Sequence, residues 1–197
     1  PMVESTAWKV YPYFEDGELV INGSGLTGYP DWNQYVAWSY KPISNVINIT
    51  VHVPSIPTGA SYSGIVIFSN NIGNQPTDNP SDSQVTWYGI EIDFSGNIWV
   101  QHPGIQWYGI ANYPAPTPPF TMSVILTENS AGNATVYAIY VNGTEYVVNA
   151  NTPMPWSQIG YVGLSVFETQ IYYVSYFAVS PAPCLLYTSP SPRDRQK

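Results

Sequence analysis

No stretch of eleven residues in this chain carries an apolar stripe at helical spacing, and 19 prolines and 15 glycines interrupt it at short intervals. A helix needs apolar residues three and four apart and rejects proline from its interior, so helical folds are excluded first. What remains between the interruptions is rich in Tyr, Val, Ile, Thr and Trp, the residues that fit a pleated and half-buried surface. The predicted strands are Trp8–Phe14, Glu18–Asn22, Gln34–Tyr40, Val46–Val53, Tyr62–Ser69, Val85–Phe94, Asn97–Gln101, Ile105–Ala111, Phe120–Thr127, Ala134–Val141, Glu145–Asn149, Ile159–Phe167 and Gln170–Val179. No period repeats along them. The expected fold is therefore all-β, an antiparallel two-sheet sandwich of jelly-roll type rather than a solenoid.

Composition narrows the class of partner. The hydrophobic fraction of 44% is too high for a disordered chain, and no apolar run approaches the length of a spanning helix. With 13 acidic against 5 basic residues, the chain lacks the clustered Lys and Arg that phosphate binding requires, so nucleic acid is an unlikely partner.

Three of those bases and the single cysteine fall in Cys184–Lys197, CLLYTSPSPRDRQK, whose composition matches nothing upstream. Read as codons, CLLYTSPSPRD resembles the transposase adapter used in shotgun DNA sequencing, so residues 184–197 are expected to be a non-native tail. Residues 1–183 are then expected to form a single domain, a fragment of a longer protein. Lys9 and Lys41 are its only bases, and without cysteine it has no disulfide, thiolate nucleophile or zinc-thiolate site.

The most informative segment is VTWYGIEIDFSGNIWVQ, residues 85–101. At period two, Tyr88, Ile90, Ile92 and Phe94 share the core face, leaving Trp87, Glu91 and Asp93 on the other. Beyond a tight Ser95-Gly96 turn, Trp99 and Gln101 fall beside those carboxylates, and Trp107 on the next predicted strand extends the set. Indoles stack on the apolar C–H faces of sugars while carboxylates and amides accept hydroxyl protons, so this pattern points to glycan binding. The bland alternative is a solvated sheet face with incidental aromatics. The core expected from the same alternation comprises Tyr88, Ile90, Ile92, Phe94, Ile65, Ile67, Val124, Leu126, Leu164 and Val166.

Here the chain resembles the concanavalin-like sandwich superfamily, which includes legume-type lectins, laminin-G-like modules and laminarinase-like glycoside hydrolases. The resemblance rests on YGIEIDFSGNIWVQ (Tyr88 to Gln101), on the hairpin MSVILTENSAGNATVYAIYVNGTEY (Met122 to Tyr146) and on a closing strand from Ile171 to Val179. In the hydrolase subset it implies a catalytic strand of the form E-x-D-x-x-E. Glu91 and Asp93 match the nucleophile and its helper, but Gly96 stands where the acid/base glutamate belongs. Retaining hydrolysis needs two carboxyls about 5.5 Å apart, so only a carboxyl from elsewhere, such as Glu128 or Glu168, could restore it.

Other constellations are weaker. His52 alternates with Asn48 and Thr50 and reads as a surface histidine, while His102 ends the Trp99 strand. Asp78, Asn79, Ser81 and Asp82 offer clustered oxygens for calcium, the one cofactor weighed, but their spacing is not diagnostic and a polar loop without metal is favoured. N-x-[ST] sequons at Asn22, Asn48, Asn133 and Asn142 suggest a secreted or cell-surface glycoprotein. Low charge leaves few ion pairs for acid to break, which suits an acidic habitat.

The leading expectation is thus an extracellular carbohydrate-binding, lectin-like module using Trp87, Glu91, Asp93, Trp99, Gln101 and Trp107, its partner a polysaccharide or other glycan. A glycoside hydrolase acting on β-glucans through Glu91 and Asp93, or a structural cell-surface or filament subunit, are the alternatives.

Overall fold

The computed structural model describes residues 13–15, 18–22, 33–55, 62–70, 87–93, 97–101, 108–110, 116–167 and 171–181. These form strands β1 (Tyr13–Glu15), β2 (Glu18–Asn22), β3 (Asn33–Ser39), β4 (Val46–Val53), β5 (Tyr62–Ser69), β6 (Trp87–Asp93) and β7 (Asn97–Gln101). There follow β8 (Tyr108–Ile110), β9 (Phe120–Glu128), β10 (Asn133–Val141), β11 (Thr144–Pro155), β12 (Tyr161–Phe167), β13 (Ile171–Val174) and β14 (Tyr176–Ser180). A single 3-10 turn at Trp156–Gln158 is the only helical element among the described residues.

All pairings are antiparallel. A five-stranded sheet runs β11-β10-β9-β4-β14, a six-stranded sheet runs β3-β12-β5-β6-β7-β8, and a small sheet runs β1-β2-β13. The two large sheets enclose one core. From the five-stranded sheet come Ile47, Ile49, Val51 and Val53 of β4, with Met122, Val124 and Leu126 of β9, all fully buried. From the six-stranded sheet come Val66, Phe68, Tyr88, Val162 and Leu164. Phe68 stacks on Tyr88 with ring centroids 5.4 Å apart, and Trp38 of β3 meets Phe177 of β14 at 5.0 Å, joining the two sheets near one edge. The expected all-β sandwich is the observed one.

Local chemistry explains the sharpest turns. Asn142 and Gly143 have φ of 49° and 82° between the paired residues Val141 and Thr144, the two positive values that a two-residue hairpin needs. At the other end of β10, the side chain of Asn129 accepts the N–H groups of Ala131 and Asn133, both at 3.0 Å. Gly132 closes that turn at φ 78°.

Two expectations need correction, and a third falls outside the described side chains. Ile65 and Ile67 are expected in the core; their side chains lie outside the described residues, and the described buried residues of β5 are Val66, Phe68 and Ser69. The segment Ile65-Val66-Ile67-Phe68 is apolar at every position, so alternation within it chooses no face. A register shift between Gly64 and Val66 instead sets Val66 opposite Ile90 and Phe68 opposite Tyr88. The closing strand is also two strands, broken at Ser175. β13 pairs with β2 in the small sheet, whereas β14 pairs with β4 in the large one. Finally, β11 runs six residues past its expected end at Asn149, to Pro155. Asn149 has φ 48° within it, a local irregularity that the pairing to β10 survives by shifting register. Phe94 of the expected core lies outside the described residues.

Truncating a fully buried aromatic both removes its transfer free energy and leaves a cavity. Phe68→Ala is therefore expected to lower unfolding free energy by roughly 3–5 kcal/mol, measured by urea denaturation of the purified chain.

Candidate functional site

The burial of Tyr88 decides which face of β6 meets the core. Trp87, Gly89, Glu91 and Asp93 occupy the positions of β6 that alternate with Tyr88 and Ile90 along the strand. The β6–β7 register sets Glu91 opposite Trp99, Gly89 opposite Gln101 and Asp93 opposite Asn97. Five of the predicted ligand residues, Trp87, Glu91, Asp93, Trp99 and Gln101, thus lie on two neighbouring paired strands, their side chains outside the described residues. Trp107, Gly96, His102 and Glu168 lie outside the described residues.

Following the register across the sheet gives rows perpendicular to the strands. One row reads Ser39, Tyr161, Ser69, Trp87. The next reads Ala37, Gly163, Ile67, Gly89, Gln101. A third holds Gly64, Glu91, Trp99 and Gly109. The middle row is made mostly of small residues, between one row ending in Trp87 and another carrying Glu91 and Trp99. Of these, the sequence sets only Gly89 beside Trp87, Glu91 and Asp93; the register of four strands brings Ala37, Gly163 and Ile67 into line with it. Ser69 in the first row is fully buried and its hydroxyl has no hydrogen-bond partner. The Tyr40 hydroxyl, just beyond β3, is likewise buried without a partner, and burial raises its pKa above the ordinary tyrosine value.

Glu128 does not join the six-stranded sheet. It ends β9 in the five-stranded sheet, paired with Ala134 and exposed, whereas Glu91 lies in the other sheet. The suggestion that Glu128 supplies a missing acid is therefore corrected.

The outward face of the five-stranded sheet is built differently. His52 Nδ1 lies 2.8 Å from the Thr121 hydroxyl, and the Thr50 and Ser123 hydroxyls lie 2.9 Å apart. These side chains satisfy one another across β4 and β9, so His52 is a partly buried member of a hydroxyl ladder on a sheet face. Among the described residues no three His, Cys, Asp or Glu come together; Asp78, Asn79, Ser81 and Asp82 lie outside them. Of the sequons, Asn48 is 4% exposed in the middle of β4, so the folded sheet leaves no room for a glycan there. Asn133 is half-buried, Asn142 is exposed at a hairpin tip, and Asn22 ends β2.

One charged contact stands out on that second face. The Tyr140 hydroxyl donates to Glu145 at 2.5 Å across β10 and β11, and this bond is the main reason its pKa lies above the ordinary value.

No protein-family profile matches the chain. Over 185 residues it is 46% identical to a protein of Acidianus two-tailed virus named "Putative transmembrane protein ORF1334"; the match takes in 91% of this chain and 13% of the viral protein. The chain thus spans about an eighth of that relative's length. Among the described residues no helix is long and apolar enough to cross a membrane.

Solved structures share the fold at low identity. The legume lectin-like domain from Entamoeba histolytica superposes with a TM-score of 0.54 at 11% identity, covering 92% of this chain and 90% of that one. The potassium-bound carbohydrate recognition domain of Emp46p gives 0.54 at 10% identity, over 88% and 87%. An alginate lyase, Aly36B, in complex with alginate trisaccharide gives 0.50 at 12% identity, over 93% and 95%. These likenesses establish a lectin-like β-sandwich, in line with the concanavalin-like resemblance.

A raised folded-state pKa means that the Tyr140–Glu145 bond stabilises the fold fully below the unfolded tyrosine value near pH 10. That contribution is lost as pH climbs through the folded value. Titration of ring-labelled tyrosine by NMR is expected to show Tyr140 ionising later than a free tyrosine, and Glu145→Gln is expected to bring it earlier.

Proposed function

We propose that the chain is a glycan-binding module of a longer, secreted or cell-surface protein, with the outward face of the six-stranded sheet as its binding surface. The observation that supports this reading is the register of β6 and β7, which pairs Glu91 with Trp99, Gly89 with Gln101 and Asp93 with Asn97. An indole next to a carboxylate suits a pyranose, whose apolar C–H face and equatorial hydroxyls need both kinds of partner at once. The row Ala37, Gly163, Ile67, Gly89 and Gln101, three of them Gly or Ala, gives a sugar chain a course across the strands. It crosses five strands, about 19 Å at the usual strand spacing, room for several rings of a linear polysaccharide. The lectin domains and the saccharide-bound lyase among the structural neighbours support a carbohydrate-binding use of this fold.

Binding is favoured over hydrolysis because Gly96 stands where the acid/base glutamate belongs and Glu128 sits in the opposite sheet. The structural-subunit reading draws on Tyr137, Val147 and Tyr176, exposed by 42%, 51% and 57% in the five-stranded sheet. Polymers growing with protein concentration under the electron microscope would support it instead.

Glycan arrays and isothermal titration test the binding reading on residues 1–183. Trp99→Ala is expected to abolish glycan retention while keeping the melting temperature within a few degrees, as for a residue outside the core. Glu91→Gln is expected to weaken binding by about 1–3 kcal/mol, the cost of a charged hydrogen bond, with no turnover to lose. An array blank for the natural chain, or hydrolysis that disappears in Glu91→Gln, would sink the proposal.

A further inference from the structure

The hairpin tip between β10 and β11 holds a sequon whose geometry differs from that of the others. In Asn142-Gly143-Thr144 all three residues are exposed. The Asn142 side-chain oxygen accepts the Thr121 N–H at 3.0 Å, and its own backbone N–H donates to the Thr121 carbonyl at 2.9 Å. The carboxamide is therefore held by its oxygen, and Nδ2, the atom that bears an N-linked glycan, is not needed for the turn. Two of the other acceptors are compromised, and the Asn22 side chain lies outside the described residues. Asn48 is buried in β4 and Thr50 bonds Ser123. Asn133 begins a strand, and Thr135, 6% exposed, donates to Asn151 and accepts from Asn129.

A second feature concerns what lies beside the tip. Tyr140 lies two residues before Asn142, near the end of β10 that runs into the turn. The Tyr140 ring is half-buried, and Glu145 anchors its hydroxyl. The anchored phenol offers its ring as a platform where a sugar on Asn142 would begin. Stacking of an apolar sugar face on an aromatic ring is the interaction invoked for the six-stranded sheet, but here the sugar is attached covalently.

We infer that Asn142 is an N-glycosylation site and that the first sugar of its glycan packs against Tyr140. In the transfer, Nδ2 of Asn142 forms a C–N bond to the anomeric carbon of an oligosaccharide carried on a lipid pyrophosphate. The bond from that carbon to the phosphate oxygen breaks, the lipid pyrophosphate leaves with the electron pair, and the amide gives up one proton to the transferase or solvent. The site lies in the five-stranded sheet, so its glycan leaves the outward face of the six-stranded sheet open. The inference does not depend on that face binding anything.

The test is to secrete the full chain from a eukaryotic host with an added leader and to measure site occupancy by glycopeptide mass spectrometry. Asn142 is expected to be occupied in most molecules and Asn48 in almost none. Thr144→Ala, at an exposed position that leaves the Asn142 bonds to Thr121 in place, is expected to abolish occupancy at Asn142 without loss of fold. An unmodified Asn142 in the secreted, folded protein would overturn the site. Melting temperatures then test the packing through a cycle of Thr144→Ala and Tyr140→Leu. The glycan is expected to raise the melting temperature by a few degrees with Tyr140 present and by less than half as much with Leu. An equal rise in both backgrounds would overturn the contact with Tyr140.

Discussion

Tyr88 packs its ring on Phe68 inside the sandwich, and the pleat converts that contact into a rule for everything on the six-stranded sheet. Side chains on a strand alternate between faces, so burying one aromatic turns its immediate neighbours outward. The same contact sets the register of β5 against β6, hence which rows of residues cross the sheet. A slip of one residue would bury two carboxylates without partners, and the desolvation cost of unpaired charges makes that arrangement untenable.

The opposite sheet obeys the same alternation with a different outcome. Its core residues, Ile47, Ile49, Val51 and Val53, are buried as completely as those across from them. Its outward positions, however, carry Thr50, Ser123, Thr121 and His52, which bond to each other. A face that satisfies its own hydrogen bonds offers little to a sugar beyond aromatic edges. That contrast is the ground on which we propose the six-stranded sheet as the binding surface.

Where the chain departs from simple strands, a small number of backbone groups decide the path. At Ser175 the N–H donates to the His52 carbonyl, and two residues earlier the Tyr173 N–H donates to Ser55. These bonds carry the chain from the small sheet into the large one without leaving its amides unpaired. Trp156, just past β11, is buried and gives its indole N–H to the Ser44 carbonyl, tying the end of the long edge strand to the loop before β4.

The absence of helical periodicity, the Asn142-Gly143 turn and the alternation in β4, β6 and β9 were legible in the amino-acid order alone, because each depends on residues within one or two strands. So was the adjacency of the strands that carry Trp87, Glu91, Asp93, Trp99 and Gln101. The core side of β5, the break at Ser175, the row from Ala37 to Gly89 and the position of Glu128 in the other sheet were not. Each depends on which distant strand lies alongside. A run apolar at every position has no preferred face until a partner supplies one, and only the assembled sandwich provides it.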